Sequence, residues 1–247
     1  MNTRFLRILK PSFKLVYGES LNIKGRFFNL KKETIKHFAV AVLFFVSFII
    51  WTILVRVIDV EAIGPQGSSV GFATVNGYFH KLIGVNMNLY LITDWLSLIP
   101  ACFIIAFGSL GLMQWIKRKN ILKVDFDILI LGAFYIIVMA IYLMFESMII
   151  NFRPVLINGI LEASYPSSTT LLVLCVMPTA MIQLNNRIKN TKLKKCAKLL
   201  IIAFIVFMVT ARLLSGVHWL SDIIGGIFLS TSLVSMYYFL YKTKKDL

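Results

Sequence analysis

From residue 37 onward the chain alternates long apolar runs with short polar interruptions. Six runs are long enough to matter: 37–57, 89–115, 127–151, 169–186, 197–215 and 222–241. As helices, each can cross a bilayer core of about 30 Å. No water is available in that core to satisfy an exposed backbone, so each span must close its hydrogen bonds within itself, which selects helices. The expected fold class is all-α: a polytopic membrane protein built as a six-transmembrane helix bundle. No repeat of fixed period and no low-complexity linker divides the chain. The expected layout is a basic segment 1–36, one membrane domain 37–241, and a short tail 242–247.

Composition agrees with the pattern. Of 247 residues, 58% are hydrophobic and only 15% charged, and the mean hydropathy is +0.81. Water-soluble domains do not have this composition. A net charge of +15 suits a nucleic-acid binder, but its distribution argues otherwise. Segments 1–36, 117–123, 187–198 and 242–245 hold 22 of the 26 lysines and arginines. All four segments fall on one side of a six-span topology. Arg56, Lys81, Arg153 and Arg212 lie near or on the other. By the positive-inside rule this is a multi-pass cell-membrane protein with both termini cytoplasmic. The basic flanks then act as topology signals and contacts for anionic lipid heads, and no nucleic-acid partner is expected.

The remaining bulk features add less. Residues 1–36 mix Phe5, Leu6, Phe13, Leu15, Phe27 and Phe28 with nine basic residues. An interfacial helix and a partly disordered basic tail both fit that mixture. The first span is expected to be an uncleaved anchor. Residues 58–88 form the longest external connection, with turn residues at Gly64-Pro65-Gln66-Gly67-Ser68-Ser69. Amides of that turn could touch an anion, or the loop simply folds over the bundle. His80, in the same loop, reads as an ordinary interfacial histidine. Cys102, Cys175 and Cys196 have no spacing that suggests zinc.

Intramembrane and membrane-edge charges are costly and call for an explanation. Asp94, Glu146, Arg153, Arg212, His218 and Asp222 all fall near the external ends of their spans. Arg212, His218 and Asp222 are spaced R-x5-H-x3-D. Residues four apart share one face of a helical turn, so Asp222 can accept one ring N–H of His218 and leave the other nitrogen free to attack. Arg212 offers a planar fork that fits phosphate oxygens. The run Pro166-Ser167-Ser168-Thr169 opens the fourth span. Proline and serine suit a first helical turn, whose free N–H groups and positive dipole end form an anion site.

Together these residues resemble the type-2 phosphatidic acid phosphatase superfamily of integral membrane lipid phosphatases. That family's pattern runs K-x6-R-P, then P-S-G-H, then S-R-x5-H-x3-D. Here the counterparts are Glu146, six residues, Arg153-Pro154; then Pro166-Ser167-Ser168-Thr169; then Ala211-Arg212, His218 and Asp222. Order and spacing match over roughly residues 90–240. The resemblance implies that His218 attacks phosphorus, Asp222 orients it, and Arg153 and Arg212 hold the oxygens. Ser167 and the amides near Ser168 would complete the cradle, with no metal and no cofactor implied. Two of the departures bear on the chemistry. Thr169 stands where the family has a histidine acid, and threonine cannot act as an acid near neutral pH. Glu146 stands where it has a lysine; pairing with Arg153 or Arg212 is expected, and a protonated, donating Glu146 is the alternative.

The implied activity is metal-independent hydrolysis of a lipid phosphate or diphosphate through a phosphohistidine, on the non-cytoplasmic face. Loss of the acid favours a leaving group that needs no proton, such as the phosphate monoester of an isoprenoid diphosphate. A phosphotransferase is close kin. A catalytically impaired lipid-phosphate-binding or scaffold membrane protein is the competing class.

Overall fold

The structure is a computed structural model that describes the chain from residue 34 to residue 246; the expectation of an interfacial N-terminal segment lies outside these residues. Eight α-helices follow in order: α1 (Thr34–Val57), α2 (Ala73–Ile83), α3 (Met87–Leu96), α4 (Leu98–Arg118), α5 (Phe126–Ser147), α6 (Ser168–Arg187), α7 (Thr191–Leu214) and α8 (Leu220–Asp246). Six segments are long and apolar enough to cross a membrane, α3 and α4 acting as one. The expected all-α, six-span bundle is the fold.

Several boundaries have a local cause. Span two breaks at Ser97, the shared cap of α3 and α4, and Pro100 sits in the first turn of α4, where its missing N–H costs nothing. Span three stops at Ser147, short of the expected 151, because Met148 turns to an extended conformation. Span five begins at Thr191 because the Asn190 side chain accepts from the backbone N–H of Lys192 and Leu193, an N-cap. The last helix, α8, runs on to Asp246, through residues 242–246 of the expected tail.

The spans pack around α6, which touches α4, α5, α7 and α8. Its most apolar window is 56% buried, against 17% for α1 and 11% for span two. Phe48, Phe134, Tyr135, Leu171, Cys175 and Tyr237 form the main core, while Leu43, Ile53, Ile105 and Ile136 stay exposed, as expected for a lipid-facing surface. Pro178 lies inside α6. The Thr179 hydroxyl beside it donates to the carbonyls of Cys175 and Val176.

Three connections gather at one end of the bundle: 58–86, 148–167 and 215–219. The first folds over the bundle, as the simpler sequence reading has it. Its Pro65 turn closes on itself through Gly64 N–H to Ser68 O and Ser68 N–H to Pro65 O. The same connection contains α2, a short helix that Gly77 and its polar residues concealed in the sequence. Asn86 N–H then donates to Ser215 O at 3.0 Å. Gly216, at φ +68°, lies so close to Gly84 O that a Cβ there would approach it to 2.0 Å. The second connection folds as a small hairpin, with backbone bridges between Phe152 and Ala163 and between Ile157 and Ile160. Asn158 and Gly159 both have positive φ at its tip, as a type I′ turn requires.

Candidate active site

His218 lies between α7 and α8 and is buried. Its Nδ1 is 3.1 Å from the carbonyl oxygen of Ser164. A carbonyl only accepts, so Nδ1 carries the proton and Nε2 keeps its lone pair. Arg153 Nη1 donates to that Nε2 at 3.3 Å. Burial, followed by the Arg153 and Arg212 guanidinium groups, holds the His218 pKa well below the usual imidazole value. The ring is therefore neutral near pH 7, its unprotonated nitrogen facing a cation.

Asp222 sits differently from the expectation. Its Oδ2 is 3.8 Å from His218 Nδ1, beyond hydrogen-bond length. The same Oδ2 accepts from Trp219 N–H at 2.9 Å, and Asn151 Nδ2 donates to Oδ1 at 3.4 Å. Trp219 precedes α8 and Asp222 is its third residue, so the carboxylate closes the helix start as the acidic partner of a capping box does. The main chain at Ser164 takes the orienting bond assigned to Asp222 by spacing, because residue 164 is nearer the ring edge. Asp222 holds the turn that carries His218.

The hairpin positions Arg153. Its backbone N–H donates to Glu162 O at 3.0 Å, and its Nε lies 3.0 Å from Glu162 Oε2, without the alignment of a hydrogen bond. Arg212 ends α7, with Nη1 donating to Thr93 Oγ1 at 3.1 Å and its guanidinium 4.7 Å above the Tyr90 ring. The Nε of Arg153 and of Arg212 are both buried without a hydrogen-bond partner. The Glu162 carboxylate already faces the Arg153 nitrogen, so the Arg212 Nε is the buried donor that an incoming anion would satisfy.

At the start of α6, Ser167 N–H donates to Asp222 O at 3.1 Å, tying this helix start to that of α8. The Ser167 hydroxyl makes no capping bond; it accepts from Thr170 Oγ1 at 3.0 Å. Thr169 is buried and Ser168 half-buried, and first-turn N–H groups such as theirs lack intrahelical acceptors. Close approach here depends on glycine: a Cβ at Gly225 would come within 2.6 Å of the Tyr165 ring, and one at Gly226 within 3.2 Å of Thr170.

Glu146 does not pair as expected. It is exposed at the end of α5, interacts with the Tyr142 hydroxyl one turn earlier, and leaves the arginine to Glu162. Asp94 is exposed at its helix end. Ser164, Glu162, Asn151 and Asn76 were not singled out by sequence. Asn76, on α2, donates to Ser221 Oγ at 2.9 Å and accepts from Ser221 N–H at 3.1 Å. His80, one turn further on, packs on Trp219 with ring centroids 5.4 Å apart. It lines a small cavity with His218, and burial lowers its pKa. Among the described residues, no group of three or more His, Cys, Asp or Glu gathers as a metal site.

The fold and these contacts define a class: a multi-pass helical membrane protein with a histidine and two buried arginines clustered at one end of the bundle. Residues 146–246 match the family model described as the PAP2 superfamily. The matched segment carries all three motifs. A solved structure described as a transmembrane PAP2-type phosphatidylglycerolphosphate phosphatase from Bacillus subtilis shares the fold. It has a TM-score of 0.54 and 17% identity, covering 83% of this chain and 96% of that one. No curated protein matches the chain.

Proposed function

We propose that the protein is a membrane lipid phosphatase acting through a phosphohistidine on His218, with isoprenoid diphosphates as the favoured substrate class. The observation that carries this reading is the neutral His218 ring, fixed by the Ser164 carbonyl with its Nε2 3.3 Å from Arg153 Nη1. In the proposed first step, Nε2 attacks the terminal phosphorus. A P–N bond forms as the P–O bond to the leaving phosphate breaks, and that oxygen keeps the electron pair. Water then cleaves the P–N bond, releasing phosphate and restoring the neutral ring. Arg153 and Arg212 neutralise the equatorial oxygens, the main source of rate in such transfers. The first-turn amides of α6, at Ser168 and Thr169, add donors, with Ser167 beside them. Asp222 steadies the imidazolium-like phosphohistidine electrostatically. Glu146, at the rim, would bound the entrance.

Thr169 shapes the substrate preference. Losing a general acid costs about 10²–10⁴ in rate. An alkoxide leaving from phosphatidic acid bears that cost; a phosphate monoester leaving from a diphosphate does not. By charge distribution the site opens on the non-cytoplasmic face. The same Thr169 observation favours one second reading, a lipid-phosphate binder without turnover.

One experiment separates them. The full chain in detergent receives a prenyl diphosphate or phosphatidic acid, each with EDTA, beside a His218→Ala variant. Release of phosphate from the diphosphate that disappears in the variant supports the enzyme. Binding without release in both supports the scaffold. Activity abolished by EDTA and restored by a divalent ion would contradict the metal-free scheme.

A further inference from the structure

At the end of the bundle remote from His218, α6 and α7 enclose a cavity of about 170 Å³. Its mouth carries Lys194, Lys198 and Asn185. The two lysines are four apart and so share a face of α7. Among the described residues, neither lysine forms an ion pair, while Asp127 pairs with Arg187 at 2.8 Å and Asp125 with Arg118 at 2.7 Å. Leu184, Ala197 and Ile201 line this cavity and also a second, apolar one of about 600 Å³. The second continues along α7 past Phe204 to Phe207, with Ile99 and Phe103 on its far wall.

Ala197 to Phe207 spans ten residues, or about 15 Å of helix at 1.5 Å per residue. That is half a bilayer core of about 30 Å, the depth of a single leaflet. A cationic mouth at the membrane edge, opening on an apolar trough one leaflet deep, matches a lipid in both charge and shape. We propose that these two adjoining cavities together form a binding site for an anionic phospholipid of the leaflet opposite the catalytic end. Its phosphate sits between Lys194 and Lys198, and one acyl chain lies past Ala197 against Phe204 and Phe207. A free phosphate would leave the apolar trough unused, and a zwitterionic head would bring its own cation against the lysines.

The test is native mass spectrometry of the full chain in detergent, titrated with dioleoyl phosphatidylglycerol or dioleoyl phosphatidylcholine. Phosphatidylglycerol carries no terminal phosphate monoester, so a phosphomonoesterase site does not consume it. A lysine near a bilayer surface contributes about fivefold in affinity for anionic lipid, so two contribute about 30-fold. The expected result is one phosphatidylglycerol held about 30-fold more tightly than phosphatidylcholine, with the preference lost in the Lys194→Gln/Lys198→Gln double variant. Lys192→Gln/Lys195→Gln removes equal charge from exposed positions outside the cavity and should change binding less than about threefold. Ala197→Phe fills the junction and should weaken both lipids. If that variant disturbs the bundle, the two lysine pairs still decide. Equal losses from both pairs, or equal binding of the two lipids, would overturn the proposal in favour of diffuse electrostatics or an ordinary lipid-facing groove.

Discussion

Replacing Arg153 with glutamine removes two things at once, and the structure assigns each a separate signature. The first is a pair of phosphate donors. A preorganised donor aimed at developing charge is worth about 10²–10³ in kcat, or about 2.7–4 kcal/mol. Arg153 is buried, so solvent screening does not discount this much. The second is the positive charge facing His218 Nε2 at 3.3 Å, which, after burial, depresses that ring's pKa. Activity needs the neutral ring, so it is lost as pH falls through the depressed pKa. Removing Arg153 raises that pKa, and the acid limb of kcat/KM moves to higher pH. Arg153→Lys separates the two effects: it keeps the charge, so the limb stays near its original position, but loses the fork, so kcat still falls. The assay is phosphate release from a prenyl diphosphate for the three proteins from about pH 4 to about pH 8, a range that brackets the ordinary imidazole value. Arg153→Gln retaining kcat within about threefold, or leaving the limb in place, would refute the placement of this guanidinium beside the nucleophile.

Three further substitutions test the site. Asp222→Asn keeps an oxygen for Trp219 N–H while removing charge that lies beyond hydrogen-bond reach of the ring; kcat should fall only about 10–100-fold, well short of the roughly 10⁴ seen when a triad carboxylate fixes the tautomer. A loss as large as that of His218→Ala would return the orienting role to Asp222. Gly225→Ala drives a methyl into the Tyr165 ring, next to the Ser164 carbonyl that holds His218; overpacking of this kind costs about 1–3 kcal/mol, read as a lower thermal midpoint with reduced kcat, and an unchanged midpoint would contradict the contact. Thr169→His should bring phosphatidic acid turnover up by about 10²-fold or more if the missing acid sets the preference; an unchanged substrate range would dismiss that explanation.

What could be read from the chain alone follows from how local each cause is. The six spans were legible because hydropathy over some 20 residues outweighs any local detail. The R-x5-H-x3-D run was legible because its members sit within one turn and one helix start. The Ser164 bond to His218 was not, since its acceptor is a main-chain oxygen and carries no residue-type signature. Asn151 and Asn76 reach Asp222 and Ser221 from 71 and 145 positions away, distances at which composition says nothing about contact. The 152–163 hairpin has a local signal, since Asn158-Gly159 is the dipeptide that favours a type I′ turn, but that signal is short and sits inside a brief connection between spans. Glu146 misled because motif spacing placed it opposite Arg153. Glu162 has no motif position, but it reaches the arginine across the hairpin.

The most direct test of the central claim is to trap the intermediate. The full chain is mixed with a prenyl diphosphate labelled on its terminal phosphate, quenched during turnover, and digested for peptide mapping. The account predicts an acid-labile, alkali-stable phosphoryl group on His218, absent after His218→Ala. Turnover with no label on His218, or a label on another residue, would contradict it.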